Sequence, residues 1–178
     1  MPNWVKNILT VDKPEALSFM LDKDEDGKTQ FDFNKVMPMP KELEDNNWQY
    51  PDDRTSEQIK TLEEKYGASD WYHWRVINWG TKWNASGTEV IDDTTVEFDT
   101  AWSTPEPIPQ MLSLKFPDTY VSVKYADEDL GHNCGFYTYL NGDLVENTQP
   151  ETGEALEYAC DVWGFDYQEE LRLREEEE

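Results

Sequence analysis

Three carboxylates of this chain have the spacing of a calcium-binding loop. Asp22, Asp24 and Asp26, followed by Gly27, match the first half of such a loop, where alternate carboxylates converge on the ion and glycine permits a sharp turn. The second half does not match, because position 12, which needs a bidentate Glu, is Phe33. We therefore expect a solvated turn between a helix and a strand. A metal site at Asp22, Asp24 and Asp26 is the weaker alternative.

A histidine and a thiol stand close together at His132 and Cys134, which raises the possibility of nucleophilic or zinc chemistry. A four-ligand zinc site would also need His73 and Cys160, which are distant in sequence. We therefore expect a loop histidine and buried, reduced cysteines. The sequence contains no Gly-rich phosphate loop, serine elbow or HExxH motif, so we expect a protein that is not an enzyme and uses no cofactor.

Tryptophan is concentrated in residues 70–83, which contain Trp71, Trp74, Trp79 and Trp83. Aromatic side chains can stack on nucleic-acid bases, but such sites also carry cations for the phosphates. This chain has 15 Lys and Arg against 39 Asp and Glu. We therefore expect the tryptophans to pack over a sheet, with the basic residues of the segment paired to carboxylates.

The formal net charge of −24 makes binding to nucleic acid improbable and favours basic partners. The charge is uneven, because no Lys or Arg occurs between Lys124 and Arg172, whereas twelve Asp and Glu do. Carboxylates spaced by three and four residues on a helix can present a row comparable to the phosphates of DNA. The alternative is an acidic surface whose only effect is to keep the protein soluble.

Nine acidic residues are the predicted partner-binding surface. Glu151, Glu154, Glu157 and Asp161 have the helical spacing described above. The full predicted set is Asp127, Glu128, Asp129, Glu151, Glu154, Glu157, Asp161, Glu169 and Glu170.

The apolar periodicity predicts strands and helices in an order typical of a ferredoxin-like α+β domain, with βαβ-βαβ topology and an antiparallel sheet. Strands are predicted at 4–11, 31–36, 95–102, 120–125 and 135–140, and helices at 15–21, 56–66, 108–116, 152–163 and 168–178. On strand 95–102, Val96, Phe98 and Trp102 are expected to share one side. We expect one domain over residues 1–140, with a helical Trp-rich insertion at about 41–94. Residues 141–178 would form an acidic helical C-terminal extension, packed on that domain or trailing it.

Several motifs of the chain resemble those of the Api92-like family. They are Met1-Pro2-Asn3-Trp4, Phe31-Asp32-Phe33 before Pro38-Met39-Pro40, the block from Trp71 to Asn84 with its Trp-Gly-Thr-Lys-Trp core, and Phe98-x-Thr100-Ala101-Trp102 before Pro105. The resemblance covers about residues 1–140. It implies a ferredoxin-like domain, an origin in phages, plasmids or prophages, and no established enzymatic activity.

The acidic surface and this resemblance together lead to a hypothesis of DNA mimicry. The chain would inhibit a nucleic-acid-binding defence protein of a bacterial host, a nuclease or CRISPR effector, as an anti-CRISPR or anti-restriction protein. The alternative is a non-enzymatic protein-interaction module that uses its aromatic insertion. No apolar run approaches the roughly 18 residues that span a bilayer, and no signal-peptide core is present at the amino terminus. We therefore expect a cytoplasmic location and no contact with membrane.

Overall fold

The computed structural model describes residues 2–44 and 53–177, and within these ranges its main feature is a six-stranded antiparallel sheet. The strands in chain order are β1 (Trp4–Val11), β2 (Leu21–Lys23), β3 (Thr29–Phe31), β4 (Ser86–Val90), β5 (Thr95–Ala101), β6 (Val121–Asp127), β7 (Cys134–Leu140) and β8 (Asp143–Thr148). The sheet has the order β4-β5-β1-β6-β7-β8, while β2 and β3 form a separate hairpin.

Seven α-helices accompany these strands within the described residues. They are α1 (Pro14–Met20), α2 (Lys41–Glu44), α3 (Ser56–Tyr66), α4 (Trp71–Trp79), α5 (Pro107–Lys115), α6 (Ala155–Trp163) and α7 (Tyr167–Glu177). Local chemistry sets their ends. At the start of α3, Thr55 and Gln58 form a reciprocal capping box, and the helix stops at Gly67, whose φ of +76° suits a residue without Cβ.

The central strand β1 is antiparallel to both β5 and β6, so β5 and β6 are parallel to each other and α5 connects them. This is the split βαβ arrangement of a ferredoxin-like sheet. One face of the sheet carries the larger core, where Leu9 and Val11 of β1 join Leu17 of α1 and Leu112 of α5.

The opposite face of the sheet is partly covered by α6. Ala159 and Cys160 of this helix pack in a second apolar cluster with Ala126 of β6, and the partly buried Ile8 of β1 contacts the same cluster. The sheet therefore lies between helices on both faces over this part of its area.

The prediction of a strand at 31–36 is wrong beyond Phe31, because the observed strand β3 covers Thr29–Phe31. Phe31 and Phe33 are both fully buried, and the ring of Phe31 stacks on Phe98 at 4.7 Å, which explains the apolar alternation. Asp32 turns the chain between them, because its Oδ1 accepts the Asn34 N–H and a 3-10 turn follows at Phe33–Lys35. The apolar alternation correctly predicted that Phe31 and Phe33 are buried, but the backbone at Phe33–Lys35 is a 3-10 turn and not a strand.

Two edge strands, β4 and β8, were not predicted. All residues of β8 are exposed, so it lacks the half-buried alternation on which the strand predictions relied. At the start of the predicted insertion 41–94, the first four residues form α2, and residues 45–52 lie outside the described part of the chain.

Candidate functional site

The solvent side of α6 carries three of the predicted acidic residues. Glu154 precedes the first turn of α6, and Glu157 and Asp161 follow at intervals of three and four residues. All three are exposed, and they lie opposite the buried positions Ala159 and Cys160. At a rise of about 1.5 Å per residue, the intervals correspond to about 4.5 and 6 Å along the helix. We call Glu154, Glu157 and Asp161 the acidic face.

Side-chain hydrogen bonds fix α6 to the sheet. The indole Nε1–H of Trp163 donates to the carbonyl oxygens of Ala126 and Asp127, both at 3.1 Å. The Tyr158 hydroxyl donates to the carbonyl of Gly135 at 2.6 Å. Because α6 is bonded at its middle and its end, the acidic face has a defined position relative to β6 and β7.

Two of the predicted carboxylates are ion-paired within the chain. Asp161 pairs with Lys124, whose ammonium also lies 5.0 Å from the centre of the Tyr158 ring. Glu170 pairs with Arg174 at 2.9 Å. The local negative field at these two positions is therefore weaker than the count of carboxylates suggests.

Four other predicted residues, Glu128, Asp129, Glu151 and Glu169, are exposed. Glu128 accepts the backbone N–H of Trp4 at 2.8 Å, and Asp129 lies 3.4 Å from the ring of His132. Glu151 supplies the carbonyl that accepts the N–H groups of residues 154 and 155, and Glu169 lies in the first turn of α7.

Asp127 does not belong to the exposed acidic surface. Its relative exposure is only 6%, and both carboxylate oxygens accept hydrogen bonds inside the protein. Oδ1 accepts the Asp129 N–H at 2.9 Å and the Asn3 amide at 3.3 Å, while Oδ2 accepts the Asn133 amide at 3.0 Å. Its role is to organise the loop after β6, so this part of the prediction is corrected.

The alternative calcium ligands lie in the β2–β3 hairpin. Asp22 pairs with Lys35 at 2.6 Å, and the hydrogen bond from this lysine lowers the pKa of Asp22. Asp24 accepts the N–H groups of Asp26 and Lys28 and so stabilises the turn. Within the described residues, no group of three or more His, Cys, Asp or Glu side chains is placed to hold a metal ion.

Cys134 and Cys160 are free and buried, and burial raises the pKa of both thiols. A raised pKa lowers the thiolate fraction and therefore the reactivity. His132 is exposed in its loop, whereas His73 bonds to Asp70 at 2.7 Å at the start of α4. The structure thus brings neither histidine into a site with the two thiols, among the side chains it describes.

Trp74 and Trp79 are buried in the core, as the sequence predicted, whereas Trp83, which was expected to pack with them, is 37% exposed. Arg75 and Lys82 contact aromatic rings, and no salt bridge joins either of them to a carboxylate among the described residues. The guanidinium of Arg75 lies 5.0 Å from the Trp71 ring centre and 4.9 Å from that of Trp79. Burial lowers the pKa of Arg75. The expected carboxylate pairing of the segment is therefore corrected.

Sequence reasoning missed a surface arrangement around Lys82. Its Nζ lies 4.0 Å from the ring centre of Trp83 and 4.0 Å from that of Trp102. We call Trp83 and Trp102 the Trp clamp. Their exposures are 37% and 44%, so both rings face solvent as well as the lysine.

Trp102 was expected to share the inner side of strand 95–102 with Val96 and Phe98. The strand instead ends at Ala101, and Trp102 adopts a φ of +69°, which directs its side chain away from the core. The sequence gives little indication that the side chain of Trp102 points outward. The alternation of β5 continues through Trp102, and the prolines that follow mark the end of the strand only approximately.

The residues of the acidic face and the Trp clamp lie within a region matched by a family model. The model of the ferredoxin-like domain in Api92-like protein matches residues 78–169, which is more than half of the chain. No curated protein matches the chain. Among solved structures, the chain is similar to the crystal structure of a protein api92 from Yersinia pseudotuberculosis, with 9% identity and a TM-score of 0.45, over 84% of this chain and 98% of that one. By the family match, the chain belongs to the Api92-like family and contains its ferredoxin-like domain.

Proposed function

We propose that this chain is a non-enzymatic DNA mimic that inhibits a basic nucleic-acid-binding defence protein of a bacterial host. The acidic face carries the proposal: three exposed carboxylates at helical spacing on a helix that hydrogen bonds fix to the sheet. Glu128, Asp129, Glu151, Glu169 and Glu170 extend this surface in the proposal. Its target would be a nuclease or a CRISPR effector, as for anti-CRISPR or anti-restriction proteins.

The physical basis of the proposal is electrostatic. A net charge of −24 attracts a groove lined with Lys and Arg over a distance and accelerates encounter. Because the helix backbone is fixed, only the side chains of the acidic face need to be ordered on binding. A DNA strand carries one phosphate per about 3.4 Å of helix axis. Such binding weakens as salt screens the charges. The family resemblance supports an origin in a mobile element, and we place the protein in the cytoplasm of the host cell.

Capture from bacterial lysate tests the proposal. The immobilised protein is eluted with a salt gradient, and a DNA duplex is offered as competitor. We expect a basic nucleic-acid-binding protein that elutes at moderate salt and is displaced by DNA. Recovery of only DNA-insensitive proteins would contradict mimicry.

Charge reversal locates the interface. The variant E154K/E157K/D161K changes the net charge by +6, from −24 to −18. The control E57K/E63K/E64K makes the same change on the exposed surface of α3. We expect the α6 variant to bind the captured protein at least about ten-fold more weakly than the control, since it reverses the contacting charges. If the two variants bind equally weakly, the net charge of the protein determines binding and the position of the carboxylates does not.

A second candidate function, a protein-interaction module, is favoured by the exposed rings of Trp83 and Trp102. Aromatic residues are enriched at protein interfaces. Binding through these rings would persist at ionic strength that screens the acidic face. Retention of a captured protein on the immobilised chain at the high-salt end of the gradient, with no displacement by DNA, would favour this candidate over mimicry.

A further inference from the structure

The Trp clamp holds an ammonium group between two indole rings. Lys82 Nζ is 4.0 Å from both ring centres, well within the range of about 6 Å over which a cation is attracted to an aromatic face. Two rings around one cation are the arrangement with which proteins bind ammonium ligands. The site therefore suits a cationic group, because it already holds the ammonium of Lys82.

The backbone of the clamp is held in an unfavourable conformation. A φ of +69° is rare for a bulky residue, and it is maintained by two hydrogen bonds. The Trp102 N–H donates to the carbonyl of Asn3 at 2.9 Å, and the Asn133 amide donates to the Trp102 carbonyl at 3.0 Å. This conformation places at the surface an indole that is 44% exposed.

The clamp adjoins aromatic and acidic groups that suit a basic partner. The ring of Trp4 lies 5.8 Å from that of Trp83, and Tyr72 lies 6.5 Å from Trp102. Glu128 accepts the Trp4 N–H, so an exposed carboxylate borders this end of the aromatic surface. An arginine can stack on a ring and pair with a carboxylate at the same time.

We infer that the Trp clamp is a binding site for a Lys or Arg side chain of a protein partner. Lys82 occupies the site in the free protein as an internal substitute and moves out when the partner's cation enters. The inference rests on the proposed function only in expecting a basic partner. The clamp residues, Trp83 and Trp102, are not residues of the acidic face of α6.

The test uses a blocked Arg-Gly-Arg-Gly-Arg peptide and the full chain labelled with 5-fluorotryptophan. Fluorine NMR follows the signals of Trp83 and Trp102, assigned with W83F and W102F, in 0.5 M NaCl. At this salt concentration the Debye length is about 4 Å, so non-specific attraction to the acidic surface is screened. The variant K82A empties the clamp. The control K60A removes an equally charged lysine from the exposed surface of α3.

We expect the peptide to shift both signals and to bind K82A about three-fold or more tighter than wild type, because no internal cation must leave. K60A should match wild type. The double variant K82A/W102G should lose the gain, and glycine suits the positive φ at this position, so the fold is kept. K82Q, which removes the charge but keeps a polar side chain only one atom shorter than that of lysine, should resemble K82A.

Equal affinities of K82A and K60A, or peptide-induced shifts that spare Trp83 and Trp102, would overturn the inference. The outcome is independent of the proposed function. If lysate capture finds no DNA-sensitive partner while K82A gains affinity for the peptide, mimicry fails and the clamp stands. If capture finds a DNA-sensitive partner and the peptide results are negative, mimicry stands and the inference about the clamp fails.

Discussion

Trp102 combines a large side chain with a backbone conformation that usually belongs to glycine. In the left-handed region, the Cβ of an L-residue approaches the following carbonyl, at a cost of about 1–2 kcal/mol. The two hydrogen bonds from and to its backbone offset this cost. The backbone conformation itself therefore does not favour tryptophan here, and the contacts of the ring with Tyr72 and Lys82 are what distinguish it from glycine.

Comparison of W102G with W102A tests this explanation. Both variants remove the ring, but only alanine keeps the strain. We expect W102G to exceed W102A in free energy of unfolding by about 1 kcal/mol, measured by urea denaturation. At an ordinary position the order is the reverse, because glycine has more entropy in the unfolded chain. A more stable W102A would contradict the strain.

Three acidic residues at the end of β6 and just after it show that the sequence alone does not determine which of several similar residues is buried. Asp127, Glu128 and Asp129 are equivalent in type and adjacent in sequence. The structure buries the first and exposes the other two, because Asp127 accepts hydrogen bonds from Asn3 and Asn133. Asn3 is 124 positions away, so the distinction depends on tertiary contacts that no local pattern contains.

At the scale of elements, β1 and β5 place one lysine among carboxylates on the face opposite the larger core. Lys6 lies 3.8 Å from both Glu97 and Asp99. Burial raises the pKa of Asp99, Lys6 opposes this effect, and the charges of Glu97 and Glu128 add to it. Asp99 Oδ1 is also buried without a hydrogen-bond partner. The ionised form of Asp99 is therefore less favourable in the folded protein than in the unfolded chain.

This raised pKa gives a pH dependence of known sign. The folded state holds the Asp99 proton more tightly, so its stabilising contribution is present below the unfolded pKa and is lost as pH rises through the folded pKa. We expect D99N to be more stable than wild type at pH 7, with an advantage that shrinks towards pH 4. D93N, at an exposed position, is the control for loss of one charge. Urea denaturation at both pH values measures the difference, and an equal advantage in both variants would refute the prediction.

Strands and helices could be predicted from the sequence where one side of the element is buried and the other side is exposed. β1, α3 and α5 were predicted within one or two residues, because their apolar positions repeat at the strand or helix period. The edge strands β4 and β8 carry no such repeat and form through hydrogen bonds to β5 and β7. The helical spacing of the acidic face was also predicted. The Trp clamp was not, because Lys82 and Trp102 meet only after β4 and β5 have paired.

For the whole molecule, the net charge of −24 sets the response of stability to salt. Repulsion among carboxylates opposes the compact state, and the described ion pairs are mostly exposed and contribute little. We expect the free energy of unfolding in urea to rise by about 1 kcal/mol or more between 0.05 and 0.5 M NaCl. The variant E57K/E63K/E64K, at −18, should show a smaller rise. A fall with salt would mean that ion pairs outweigh repulsion.

The position of β1 at the centre of the sheet has a consequence for synthesis on the ribosome. Both of its neighbours come much later in the chain, and Trp4 bonds to Glu128 across 124 positions. At about 5–20 residues per second, the first strand waits roughly 6 to 25 s for its second neighbour. Both edges of this apolar strand are open until β5 is made, and one edge stays open until β6 is made, so the strand is available to other nascent chains or to chaperones. Residues 1–40 carry seven Asp and Glu against five Lys and Arg, so most of the net charge of −24 is added later. Charge repulsion therefore protects this nascent stage from association less than it protects the finished protein.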